Sequence, residues 1–142
     1  MISDSIQFEI VKTFPVEEIV NLYKAAEWWK ENAHSREIIP PMIQGSFCFM
    51  VATCNGNTLG MGRVISDGFS DGYIQDIVVH TKYRSYGIGK ELVRRLTHFC
   101  IQKKLESIYL IAEPNMSHFY EKFGFKVLKD FQPMIFDLES IK

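Results

Sequence analysis

The chain has 142 residues, 46% of them hydrophobic and 23% charged, which fits one folded domain spanning 1–142 and excludes a disordered or low-complexity chain. Its 16 basic and 17 acidic residues leave a formal net charge of −1, so no global field draws it to nucleic acid or to an anionic membrane, and any anion site must be local. Met1-Ile2-Ser3-Asp4-Ser5 lacks the basic and apolar regions of a signal peptide, and no stretch approaches the ~18 apolar residues of a membrane span.

In chain order, Ile6 to Val11 reads as an opening strand. From Pro15, the apolar positions Val16, Ile19, Val20, Tyr23 and Ala26 recur at helical steps, with Glu17 and Glu18 suited to the helix dipole, and this helix is expected to run into Trp28-Trp29. The stretch from His34 to Gly45 is interrupted by Pro40-Pro41 and predicts a short helix ending near Gly45. Phe47 to Ala52 is apolar on both faces, as in a central strand. Asn55-Gly56 marks a hairpin, and Leu59 to Ile65 and Tyr73 to Val79 complete an antiparallel meander. The period then changes. Ile88, Leu92, Val93, Leu96, Phe99 and Cys100 predict an amphipathic helix, followed by a strand from Ser107 to Ala112. A short helix from Met116 to Phe123 closes at Gly124, and Phe125–Phe131 with Met134–Leu138 predicts a final hairpin. The order β-αα-βββ-α-β-α-ββ describes an α/β (α+β) fold with about seven strands, mostly antiparallel, and one parallel crossover through the long helix. Cys48, Cys54 and Cys100 are odd in number, lack CxxC spacing and sit in apolar patterns, so they read as reduced, buried thiols of a cytoplasmic protein.

The informative segment runs from Tyr73 to Lys90. A Val-rich strand enters the loop Arg84-Ser85-Tyr86-Gly87-Ile88-Gly89 and passes directly into a helix. Glycines allow positive φ and close backbone approach, free N–H groups point outward at the helix start, and Arg84 and Lys90 flank the turn, so the segment has the physics of a pyrophosphate cradle. It is neither a nucleotide P-loop, since Glu91 follows Gly89-Lys90, nor a dinucleotide fingerprint, since only GxG is present.

RxxGxG after that strand, with Phe119-Tyr120-Glu121-Lys122-Phe123-Gly124-Phe125 some thirty residues later, resembles the GNAT superfamily of acyl-CoA-dependent N-acyltransferases over nearly the whole chain. The resemblance implies acetyl-CoA as acyl-donor cosubstrate and no metal. Arg84, Ser85, Tyr86, Gly87, Ile88, Gly89 and Lys90 would hold the CoA pyrophosphate. Ile77, Val78 and Val79 would pair with the pantetheine arm like an added strand, and the Val79 N–H would polarise the thioester carbonyl. Tyr120 sits where the family often keeps a tyrosine that protonates the leaving thiolate, with Phe119 beside it as core or as a pantetheine wall. Asn115 corresponds, at variable spacing, to an Asn that touches CoA in many relatives.

An ammonium must lose a proton before it can attack. Asp76, an acid within an apolar strand run, is the first candidate to hold the amine or relay that proton, set against a purely structural carboxylate. Glu27 is the second. Trp28 and Trp29 would face the acceptor, one turned inward and the other toward the surface. His34, His80, His98 and His118 show no metal-ligand spacing. Three readings stand: acetylation of a small amine, acetylation of a protein lysine or N-terminus, and a non-catalytic acyl-CoA sensor. A homodimer is common among similar proteins.

Overall fold

The computed structural model describes residues 5–142, so Met1–Asp4 of the segment inspected for a leader lie outside the described residues. These residues form two compact units, one reaching to Leu110 and one spanning Ile111–Lys142.

The first unit is a five-stranded sheet in the order β1-β2-β3-β4-β5. Its elements are β1 (Gln7–Ile10), α1 (Val16–Ala25), α2 (Ile39–Gly45), β2 (Cys48–Cys54), β3 (Asn57–Ser66), β4 (Asp71–Val79), α3 (Ile88–Gln102) and β5 (Ser107–Tyr109). β1 to β4 pair antiparallel, and β5 joins β4 in parallel after the α3 crossover. α1 and α2 pack on one face of the sheet. There Ile19, Val20, Leu22, Ile39 and Ile43 close over Phe49, Val51, Met61 and Val78. Each such fully buried side chain contributes about 1.5–3 kcal/mol. α3 covers the other face with Ile88, Leu92, Val93, Leu96 and Cys100. A side chain at Gly60 would place its Cβ 2.7 Å from the Val78 carbonyl oxygen and 3.3 Å from both Ile88 and Leu92, so bare backbone lets α3 sit this close. With helices on both faces, β2 is buried almost throughout, as its two-sided apolar pattern implied.

The prolines of α2 lie in its first turn, where a missing N–H has no partner to lose, so they start that helix rather than interrupt it. α1 stops at Ala25, short of the tryptophans, because Glu27 takes a left-handed conformation at φ 62°. Glu27, Trp28 and Trp29 therefore lie in the connection after the helix. Trp29 packs against the core and Trp28 is exposed, the split expected of the pair. All three cysteines are buried; burial raises the Cys48 thiol to about 12 and the Cys100 thiol to about 11, which leaves both unreactive.

Between Met61 and Arg63 the β3–β4 register slips: Met61 faces Val78 but Arg63 faces Gln75, so Asp76 and Ile77 together oppose Gly62. This is a β-bulge, with Asp76 at φ 58° in the left-handed position that Asp tolerates better than most residues.

In the second unit, α4 spans Ser117–Glu121 and Gly124 follows at φ 95°. The strand expected over Ser107–Ala112 ends at Tyr109, and the closing hairpin forms no ladder among the described residues. The sheet therefore has five strands where about seven were expected. Local chemistry explains the difference. Asp130 turns left-handed at φ 70° beside a Phe131 N–H to Leu128 carbonyl bond of 3.2 Å, which breaks the extended run. Pro133 has no N–H to give a ladder, and Asp137 accepts from Glu139 N at the start of a final helical turn.

Candidate active site

β4 and β5 pair only through Asp71, Gly72 and Tyr73 with Ser107, Ile108 and Tyr109. Beyond Tyr73 the strands part company, and β4 from Ile74 to Val79 pairs only with β3 among the described residues. Antiparallel ladders alternate bonded and non-bonded pairs. His80 N donates to Leu59 O at 2.8 Å, which makes the neighbouring pair Val79–Gly60 a non-bonded one. The Val79 N–H therefore points away from β3, toward the open edge. Ile77 and Val79 are half-buried along that edge and Val78 is in the core.

The chain then makes a helical turn over Thr81–Tyr83, where His80 Nδ1 accepts from Lys82 N at 3.2 Å. Arg84 Nε reaches back to the Val79 carbonyl at 3.3 Å. Ser85 at φ 76° and Gly87 at φ 77° both adopt left-handed backbone, and α3 begins at Ile88. Among the described residues no side chain caps this helix, and its first intrahelical bond runs from Glu91 N to Gly87 O at 3.0 Å. The N–H groups of Ile88, Gly89 and Lys90 are left without intrahelical acceptors, at the positive end of the dipole. Arg84, Ser85, Tyr86 and Lys90 are exposed around them, while the Ile88 side chain is core. Glu91 is the one acid in the first turn. Bonds from Arg94 and then Arg95 hold its pKa near 2, against partial burial, so its charge is spent on its own helix. The donor set fits a diphosphate.

The bulge does the second job. It puts the consecutive residues Gln75 and Asp76 on the α1 face of the sheet. Tyr23 of α1 donates its hydroxyl to Asp76 Oδ2 at 2.7 Å, and Arg63 Nε donates to the same oxygen at 2.8 Å. Arg63 Nη2 also reaches Gln75 Oε1 at 3.4 Å. Burial, then the Asp76 charge, raises the Tyr23 pKa, so Tyr23 stays a donor. Its ring stacks on Trp29 at 6.3 Å. Trp29 in turn donates to Glu31, and Arg36 bonds both Glu31 and Glu17, tying the α1–α2 connection back to α1. Asp76 is thus anchored by strand and helix rather than by a loop. Glu27 is exposed; its N–H bonds the Lys24 carbonyl at 3.0 Å, and its carboxylate makes no hydrogen bond or ion pair to a described residue. Sequence reasoning missed Arg63 and Tyr23. A basic residue in the apolar run Leu59–Ile65, one hairpin away from an acid in the next apolar run, was the available signal.

In the second unit, Tyr120 lies half-buried edge-on to Phe119 at 5.0 Å and to Phe125 at 6.2 Å. Burial, and then the charge of Glu113, raises its pKa. Asn115 is exposed at φ 66°, just before α4. His118 pairs with Glu121 at 3.5 Å. A polar cleft of about 490 Å³ lies elsewhere in the first unit, between α1, the β2–β3 turn and residues 80–83, and its walls do not include Asp76 or Val79. The described residues hold no cluster of three or more His, Cys, Asp or Glu side chains suited to a metal, and no helix long and apolar enough to cross a membrane.

Known proteins are similar to this chain. An uncharacterized N-acetyltransferase, ycf52, from Pyropia yezoensis is 34% identical over 71 residues, which is 50% of this chain and 41% of that protein. The histone acetyltransferase TAP1 of Glycine max is 32% identical over 68 residues, 48% of this chain and 27% of that protein. The chain thus spans less than half the length of these relatives. A GNAT-family acetyltransferase from Streptococcus pneumoniae superposes with a TM-score of 0.76 at 25% identity, covering 93% of this chain and 97% of that one. The acetyltransferase (GNAT) domain model matches residues 11–133, a span that takes in the bulged strand, the glycine turn and α4 alike, and the chain belongs to the GNAT acetyltransferase family.

Proposed function

We propose that this chain is an N-acetyltransferase that moves an acetyl group from acetyl-CoA to a primary amine of a small molecule, by direct attack in a ternary complex. The observation that carries this reading is the open edge of β4 leading straight into the uncapped start of α3. Backbone N–H groups from Ile88 to Lys90, with Ser85, Tyr86 and Gly87 shaping the turn and Arg84 and Lys90 adding charge, would bind the diphosphate. The edge from Ile77 to Val79 would take the pantetheine amides as a strand takes its neighbour. The outward N–H of Val79 would stabilise negative charge on the carbonyl oxygen under attack. Bound acetyl-CoA supplies a thioester, an acyl group activated toward amines. Asp76, oriented by Tyr23 and Arg63, would accept a hydrogen bond from the amine and relay its proton through water. Tyr120, with its proton held by burial, would donate to the departing sulfur; Asn115 and Phe119 are proposed as CoA contacts. Trp29, through Tyr23, supports the acceptor side, with Trp28 and Glu27 in the same connection. Three buried thiols suit a reducing compartment such as the cytoplasm.

A small acceptor is favoured because α1 and α2 close over the part of this face around Met61 and Val78, and Tyr23 of α1 reaches Asp76 itself. The similarity to a histone acetyltransferase favours a second reading, in which a protein lysine is the acceptor. Incubation with acetyl-CoA and a panel of small amines, amino sugars, polyamines and histone-tail peptides, read by mass spectrometry, separates the two. Amine-dependent release of CoA with an acetylated small product supports the proposal. Turnover confined to peptides transfers it to the second reading, and no turnover with any acceptor sinks both.

A further inference from the structure

α1 and α2 leave part of their own sheet face bare. Ile65 faces Tyr73 across β3 and β4, and Tyr73 faces Tyr109 across β4 and β5. Strand alternation puts Ile65 on the same face as Arg63, and Tyr73 on the same face as Gln75. Gly72 confirms the assignment, because its missing Cβ points at Cys100 of α3 on the opposite side. Ile65 is 43% exposed and Tyr109 is 42% exposed, with Tyr73 half-covered between them. One row of apolar side chains therefore runs across three strands beside the Arg63–Gln75–Asp76 cluster. Tyr73 and Asp76 are close enough for the carboxylate to disfavour ionisation of the phenol, after burial does so first.

The polar end of this surface has a definite charge balance. Asp76 and Arg63 neutralise each other through Oδ2 and Nε, and Oδ1 makes no hydrogen bond to a described residue. Oδ1 is left to accept one hydrogen bond from an amine. Nothing in the row supplies a second carboxylate for a second ammonium, and Arg63 would repel one. The row itself carries no further cation for a phosphate either. What the row offers is flat apolar area, starting three residues along β4 from Asp76, about 10 Å at the ordinary strand rise and less across a bulge.

We propose that the row Ile65–Tyr73–Tyr109 is the platform for the acceptor's body, and that the acceptor is a monoamine carried on a flat aromatic or apolar group, its nitrogen at Asp76 and its ring on Tyr73. The proposal rests on the acetyltransferase reading and narrows it. The test is steady-state kinetics with saturating acetyl-CoA and three acceptors: phenethylamine, spermidine and glucosamine 6-phosphate. The expected result is a kcat/KM for phenethylamine at least tenfold above the other two. Ile65→Asn and Tyr109→Ser, both at exposed positions, should each raise its KM about three- to tenfold at unchanged kcat, with thermal unfolding unshifted. Turnover that favours spermidine or the sugar phosphate overturns the platform and leaves the acetyltransferase reading standing. So does phenethylamine turnover that neither variant alters, or a sedimentation result showing the row buried between two copies. No turnover with any of the three, nor with the wider acceptor panel, removes the reading and the platform together.

Discussion

Arg63 and Asp76 meet at 2.8 Å although they are not register partners; Arg63 pairs with Gln75, and the bulge swings Asp76 onto the same face. Both side chains are largely buried, at 15% and 13% exposure. Breaking such a pair leaves an uncompensated charge, at about 3–5 kcal/mol when fully buried and somewhat less here. Asp76→Asn should therefore lower stability by about 2 kcal/mol in urea unfolding. Arg63→Met combined with Asp76→Asn should cost less than the two single losses added, by at least about 1 kcal/mol. Additive losses would show that the pair is not coupled.

Two glycines give opposite signatures. At Gly87 an added Cβ would meet open space, so only the left-handed φ of 77° resists substitution. Gly87→Ala should cost about 1 kcal/mol and loosen acetyl-CoA roughly tenfold by reshaping the turn. Gly60→Ala drives a Cβ against backbone and should cost about 1–3 kcal/mol, whatever it does to binding. Chemical unfolding together with calorimetric titration of acetyl-CoA separates the two cases.

Tyr120 has a pKa raised by burial and by Glu113 above the ordinary value near 10. A general acid with that pKa keeps its proton throughout neutral and mildly alkaline conditions. The kcat profile should show no decline assignable to Tyr120 between about pH 7 and 9. Tyr120→Phe should lower kcat about 100-fold while the KM for acetyl-CoA changes little. A variant with full kcat would remove Tyr120 from the mechanism.

Glu91 predicts a pH dependence of stability. Its folded pKa of about 2 lies below the reference 4.5, so its stabilising contribution is complete above that reference value and fades as the pH falls toward 2. Its partners Arg94 and Arg95 are about half exposed, which screens the effect to about 0.5–1 kcal/mol. Glu91→Gln should lose that amount at pH 7 and match the parent near pH 2, provided thermal unfolding is followed at both ends.

Much of this architecture was legible because period and punctuation agreed. Val16, Ile19 and Val20 marked α1, the two-faced run from Phe47 marked a central strand, and Gly87 before an amphipathic stretch marked the start of α3. What escaped was what depends on partners distant in sequence. No local pattern announces that Tyr23 and Arg63 converge on Asp76, since that contact is made by a bulge and a helix packing across it. The C-terminal hairpin was read from two apolar runs around Gln132-Pro133, and these do not outweigh a left-handed Asp130 and a proline without an N–H.

Beyond Tyr73, β4 has a neighbour on one side only among the described residues. On the proposed function, the donor substrate fills that vacancy as a temporary sixth member of the sheet, so part of the protein's hydrogen bonding is on loan from metabolism. Stability then follows the concentration of acetyl-CoA by mass action, gaining about 2.7 kcal/mol at a hundred times the dissociation constant. On that function, a cell short of acetyl-CoA would leave a larger fraction of this chain unfolded and open to proteolysis, so its turnover would follow acetyl supply.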